Sequence, residues 1–76
     1  MSVKTNIKEW SKIDISSDGN TIYQGRPSRP MAKEDEPVWF IKKTTIKDNG
    51  KTVENRYTLD YSNKWTERAT LNYYFV

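Results

Sequence analysis

The chain contains no cysteine and no histidine. Without cysteine there is no disulfide framework, no thiolate nucleophile and no thiolate zinc site. Without histidine the commonest general base and the commonest transition-metal ligand are both missing. Ser-His and Cys-His catalysis are therefore impossible within it. Long apolar runs are missing too. None is longer than Val38-Trp39-Phe40-Ile41, far short of the about 20 residues a membrane span needs. The opening residues Met1-Ser2-Val3-Lys4-Thr5-Asn6 carry no apolar signal core, and no Asn-x-Ser/Thr acceptor occurs, which reads as synthesis in a cytoplasm without membrane insertion. Neither G-x-x-x-x-G-K-[ST] nor G-x-G-x-x-G is present, so no phosphate-cradling loop is expected. Glu34-Asp35-Glu36 is the only carboxylate cluster, on a proline-flanked stretch, and nothing fixes the separation of Asp60 from Glu67. The reading is a non-enzymatic chain with no catalytic, cofactor-binding or metal-ligating residues.

What is present is small, aromatic and mildly basic. The 76 residues allow one domain at most. Only 34% are hydrophobic, but 3 Trp, 5 Tyr and 2 Phe are among them, and each aromatic can bury about 150–250 Å². The core is expected to be few in residues and large in side chains. A domain of this size rarely draws more than about 3–5 kcal/mol from its own core. With staples excluded, oligomerisation or docking is the remaining supplement. The 13 Lys+Arg against 10 Asp+Glu give a net charge of +3, too interspersed to name a partner.

The clearest local signal is Asn49-Gly50, the strongest two-residue hairpin turn. In that register Ile46 faces Val53, Lys42 faces Tyr57, Phe40 faces Leu59 and Val38 faces Tyr61. From Val53 to Tyr61 the odd positions read Val, Asn, Tyr, Leu, Tyr, while Glu54, Arg56, Thr58 and Asp60 are polar. That is the period-2 pattern of a half-buried strand with its core side on the odd positions. On the other face of the partner strand, Trp39 and Ile41 are followed by Lys43, Thr45 and Lys47. Either the first half of this strand is covered on both sides, or Trp39 is exposed as a subunit contact.

Asp18-Gly19 marks a second hairpin, pairing Ile15 with Ile22. Residues 69–76 alternate Ala69, Leu71, Tyr73, Phe75 against Thr70, Asn72, Tyr74, Val76, which predicts a C-terminal strand, central in the sheet or capped by another chain. All three prolines fall in Gly25 to Pro37, a stretch basic in its first half and acidic in its second. It is expected to be a charged loop, either a solvated crossover or a docking arm. The fold expected is all-β, about five antiparallel strands in two hairpins plus the C-terminal strand, closing as a small barrel or sandwich. Residues 1–12 form an N-terminal arm or short helical turn, and 13–76 the single β domain with its loop at 25–37.

Two function classes compete. Lys42, Lys43, Lys47, Lys51 and Arg56 lie on the central hairpin beside aromatics, a mixture that small OB-like barrels use for single-stranded nucleic acid. Against it, Glu54 and Asp60 flank the same surface and RNP-type motifs are absent. The other class is assembly through protein contacts. Its candidate partner-binding residues are Arg26, Arg29 and Met31 in the loop, Trp39, and the aromatic end Tyr73, Tyr74 and Phe75. Trp65 and Arg68 have two readings as well: a latch in which Arg68 stacks on Trp65 to close the sheet end, or part of a partner site.

Three strings decide between them: Ile22-Tyr23-Gln24-Gly25, Pro37-Val38-Trp39-Phe40-Ile41-Lys42-Lys43 and Trp65-Thr66-Glu67-Arg68-Ala69-Thr70-Leu71-Asn72-Tyr73. In that order they resemble small β-rich proteins of tailed bacteriophages encoded among virion structural genes, with a Tyr-x-Gly element, a Val-Trp-x-Ile strand and a terminal Trp-x-x-Arg-Ala block. The match spans residues 13–76. The loop departs from it, being richer in charge and lacking a Pro-Gly turn. The resemblance implies a virion component, a capsid decoration or a neck or tail adaptor present in multiple copies, with other virion proteins as partners and the host cytoplasm as its place of synthesis.

Overall fold

Two tight turns organise the backbone, and each stands where its glycine falls. In the computed structural model, which describes residues 10–76, the chain forms four antiparallel strands: β1 (Lys12–Ile15), β2 (Thr21–Pro27), β3 (Trp39–Lys47) and β4 (Thr52–Tyr57). They make one open sheet in the order β1-β2-β3-β4. Most of the N-terminal arm or helical turn expected over 1–12 lies outside the described residues.

Asn49 and Gly50 take φ of 56° and 91°, and Lys51 N–H donates to the Asp48 carbonyl at 3.1 Å. Positive φ at both central positions is the type I′ geometry that matches strand twist. The register follows, with Ile46 opposite Val53 and Lys42 opposite Tyr57. The β1–β2 turn keeps the expected pairing of Ile15 with Ile22, although its hydrogen bond runs from Gly19 N–H to the Ser16 carbonyl (2.9 Å). Ser17 and Asp18 are thus the central residues, and Gly19 follows at φ 78°. Asp18 braces this turn, accepting from the Ser16 hydroxyl (2.6 Å) and the Asn20 N–H (2.9 Å). Those bonds, Ser16's first, hold its carboxyl below the ordinary carboxylate range.

The expected β4 continuation to Tyr61 stops at Tyr57, and Thr58 is the reason. Its N–H donates to the Ile41 carbonyl (2.9 Å), but the Ile41 N–H is taken by the Thr58 hydroxyl (3.0 Å) rather than by a backbone carbonyl. The hydroxyl in turn donates to the Asp60 carbonyl (3.1 Å), and the chain turns away. Phe40–Leu59 and Val38–Tyr61 are therefore not strand pairs. Asn63 takes the place next to Trp39 instead, its carbonyl accepting from Trp39 N–H (2.9 Å) and its amide donating back to the Trp39 carbonyl (3.1 Å).

The predicted strand over 69–76 is likewise not formed. That segment makes a single bridge, Tyr57 with Tyr74, through reciprocal bonds of 2.8 and 2.9 Å. The sheet neither closes as a barrel nor stacks as a sandwich. A one-turn 3-10 helix, Trp65–Glu67, and the residues after it lie across one face as its cover. The loop also begins later than expected. Gly25 to Pro27 belong to β2, with Pro27 opposite Trp39. Pro27 stands beyond the end of β1, where a missing N–H leaves no ladder bond unmade.

The core sits on the face opposite to the one the β4 alternation suggested. Trp39 (2% exposed), Ile41 (0%) and Trp65 (4%) are its buried residues, with Tyr23, Ala32, Val38, Leu71 and Tyr73 packed around them. Val53 and Leu59, expected inside, are exposed. Alternation tells which residues share a face; what covers the face is decided by where residues 60–76 return. Gly25 makes the cover possible, because a Cβ there would lie 2.6 Å from the Trp65 ring.

Candidate partner-binding surface

Of the residues expected to meet a partner, four instead hold the fold together. Trp39 and Trp65 pack against each other with ring centroids 5.8 Å apart. The Trp39 indole N–H donates to the Lys33 carbonyl (3.0 Å), which draws the 28–38 loop over the core. Arg68 stacks on Trp65 at 4.7 Å and donates through Nε to the Asp14 carboxylate and through a terminal nitrogen to the Trp65 carbonyl, both at 3.0 Å. This is the latch reading: one guanidinium ties the cover to β1. Tyr73 meets Tyr23 at 6.1 Å, donates its hydroxyl to the Arg68 carbonyl (2.7 Å) and is half-buried. Burial pushes the Tyr73 phenol well above its ordinary value.

The other five candidates are at the surface. Met31 is almost fully exposed at φ 60°, a left-handed conformation rare for a side chain of this kind. Arg29 is ion-paired with Glu36 across the loop. Further loop ties run from Lys33 N–H to Glu36 (2.7 Å) and from Lys12 to Glu34 (2.7 Å), so the 28–38 segment is a fastened crossover rather than a free arm. Tyr74 and Phe75 are exposed at the end of the cover, with the Arg56 guanidinium 4.2 Å above the Phe75 ring. Arg26 lies over Trp10 (5.0 Å) and Phe40 (5.1 Å) and donates to the Tyr61 hydroxyl (3.0 Å).

Arg26 leads to the surface that the sequence did not point out. On the uncovered face, Phe40 stands between Trp10 (6.3 Å), Tyr57 (6.1 Å) and Tyr61 (5.3 Å), forming a shallow cleft with Arg26 and Val76. Elsewhere on the same face, Ile13 and Ile15 on β1 and Val53 on β4, at the two edges of the sheet, are exposed. The face thus combines an aromatic cluster carrying Arg26 and Lys42 with exposed aliphatic residues at both edges. Its residues are legible as alternation partners of the core, since Ile13, Ile15, Phe40 and Val53 each neighbour inward-facing positions.

The covered face carries two of the lysines named above, Lys43 and Lys47. Lys43 lies 6.0 and 5.7 Å from the Tyr23 and Tyr73 rings, and Lys47 pairs with Glu54 (3.0 Å). These cations are engaged with the cover and with carboxylates. No family model matches this chain, and no curated protein or solved structure matches it either.

Proposed function

We propose that this chain is a non-enzymatic virion structural protein of a tailed bacteriophage, a capsid-decoration or neck/tail adaptor module that works by binding other virion proteins in multiple copies. The observation that carries the reading is where the resemblance residues sit. Gly25 of Tyr23-x-Gly25, both apolar residues of Trp39-x-Ile41, and the Trp and Arg of Trp65-x-x-Arg68 meet in one core. The short motifs are thereby accounted for as one packing unit: glycine admits Trp65, Trp39 and Ile41 receive it, and Arg68 fastens it. What remains outside is an open sheet with an apolar outer face and exposed aromatics at one end, surface suited to neighbours in an assembly. Contacts with such neighbours would supply the sheet closure that the single chain lacks.

Mass spectrometry of purified virions tests the reading directly. The chain is expected in stoichiometric multiple copies; its absence from particles of a phage that encodes it overturns the proposal. A second reading, a single-stranded nucleic-acid binder, is favoured by the strip of Trp10, Phe40 and Tyr57 beside Arg26 and Lys42, since bases stack on such rings. It predicts binding to single-stranded DNA whose salt slope falls by about 0.7 for each phosphate-contacting cation removed, as in Lys42→Ala. The assembly reading predicts negligible binding and normal incorporation of that variant.

A further inference from the structure

The β1 edge is open along its whole length. The bond from Ser16 N–H to the Thr21 carbonyl (2.9 Å) fixes the parity of the β1–β2 ladder. Residues Lys12, Asp14 and Ser16 direct their backbone groups at β2, and Ile13 and Ile15 direct theirs outward. Among the described residues no segment pairs with that side. At the other edge of the sheet one bridge, Tyr57 with Tyr74, caps the end of β4, and among the described residues Val53 and Asn55 have no partner on their outer side. The side chains of Ile13 and Ile15 are themselves 60% and 58% exposed. Open edges are normally blunted by proline, bulges, shortness or charged side chains. β1 has neither proline nor bulge, and its brevity and the charges of Lys12 and Asp14 leave it open chiefly to a short partner of matching charge.

The charges on β1 say which partner matches. Lys12 and Asp14 lie on the inner face, held by Glu34 (2.7 Å) and Arg68 (3.0 Å). A second copy added antiparallel about a two-fold axis must keep inner face with inner face, so only even registers are allowed. Centred on Asp14 or on Lys12, the pairing sets like charges opposite each other, which is unfavourable. Centred on Ile13, it sets Lys12 opposite Asp14 twice, Ile13 opposite Ile13, and the outward backbone groups of the two Ile13 residues in reciprocal hydrogen-bonding position.

We propose that the β1 edge is a self-association site, through which two copies pair β1 to β1 with Ile13 at the centre and join their sheets into one continuous sheet. The site is argued from the edge alone and stands apart from the virion reading.

The chain has no cysteine, so a single Ile13→Cys substitution reports the register. Hydrogen-bonded opposite residues lie about 5.5 Å apart at Cα, within disulfide reach. Under mild oxidation I13C is expected to form a disulfide dimer, whereas V53C, equally exposed on the opposite edge, stays monomeric. Sedimentation equilibrium of the full chain is expected to show a monomer–dimer equilibrium, and Ile13→Pro to weaken it more than tenfold. Ile13 N–H takes no part in the β1–β2 ladder, so I13P should retain the parental circular dichroism; if it does not fold, the cysteine pair decides. A strictly monomeric parent at millimolar concentration, cross-linking of V53C but not I13C, or failure of both to cross-link overturns the proposal.

Discussion

The two faces of the sheet are built from the same strands and share the same alternation, yet one is a core and the other is open. On the inner face Trp39 and Ile41 are sealed by Trp65, and Lys43 and Arg56 are set over aromatic rings of the covering segment. On the outer face Ile13, Ile15 and Val53 stand exposed although they are as apolar as anything inside. Hydrophobicity alone did not choose the inner face. It was chosen by one glycine, which leaves room for an indole, and by one arginine, which fastens the segment carrying that indole.

The sharpest way to break this asymmetry is to remove the seal. Trp65→Ala is expected to cost about 3–5 kcal/mol, nearly all the stability a domain of this size holds. The variant should give no cooperative thermal transition, while Val53→Ala on the outer face shifts stability by less than about 0.5 kcal/mol. Equal effects at the two positions would show that the faces are not distinct. Gly25→Ala attacks the same contact from below. The added Cβ meets ring carbons at 2.6 Å, and overpacking of this kind costs about 1–3 kcal/mol, measurable by urea denaturation.

Smaller effects sharpen the comparison. Thr58→Val removes the hydroxyl that receives the Ile41 N–H and leaves that donor unpaired in the core, an expected loss of about 1–2 kcal/mol; hydrogen exchange at Ile41 should quicken along with it. Tyr73 gives the cover a pH signature. Its phenol is raised above 10.0 when folded, so the stability it contributes is complete below pH 10 and drains away as pH rises beyond it. Tyr73→Phe should flatten that alkaline decline. Least affected is the β1–β2 turn. Asp18 is lowered from 3.8, so its support is present above that value and disappears as pH falls through the lowered pKa. Asp18→Asn should abolish this acid dependence in a titration followed by circular dichroism.

How far the sequence could be read follows from how local each determinant is. Asn49-Gly50 and the residues around Gly19 act within a few positions, and both hairpin registers were legible from them. The alternation of Trp39 and Ile41 with Phe40 left two readings, coverage on both sides or an exposed Trp39, and the structure matches neither fully: Trp39 and Ile41 are buried while Phe40 lies on the open face. The end of β4 was not legible, since Thr58 terminates the ladder by offering a side chain where a carbonyl was expected. The C-terminal alternation misled for a related reason: Leu71 and Tyr73 pack onto the core as a cover, and their period-2 spacing serves that purpose without a partner strand. As for partner surfaces, residue type pointed to Trp39 and Trp65, the largest side chains, and these are the ones the core consumes. The outer-face isoleucines carry no motif, and their exposure depends on a segment that crosses only the other side.

The latch between Arg68 and Asp14 spans 54 positions of the chain, and it sets an order of events during synthesis. All three strand pairings join neighbours, so the meander can assemble as it emerges from the ribosome. Trp39 and Ile41 nevertheless stay wet until Trp65 has been made, because their cover follows all four strands in the chain. A nascent chain halted anywhere before that point carries a paired sheet with no sealed side, the kind of species that quality-control proteases and sticky neighbours recognise. Acquisition of stability thus waits on the segment that carries Trp65, however early the strands have paired.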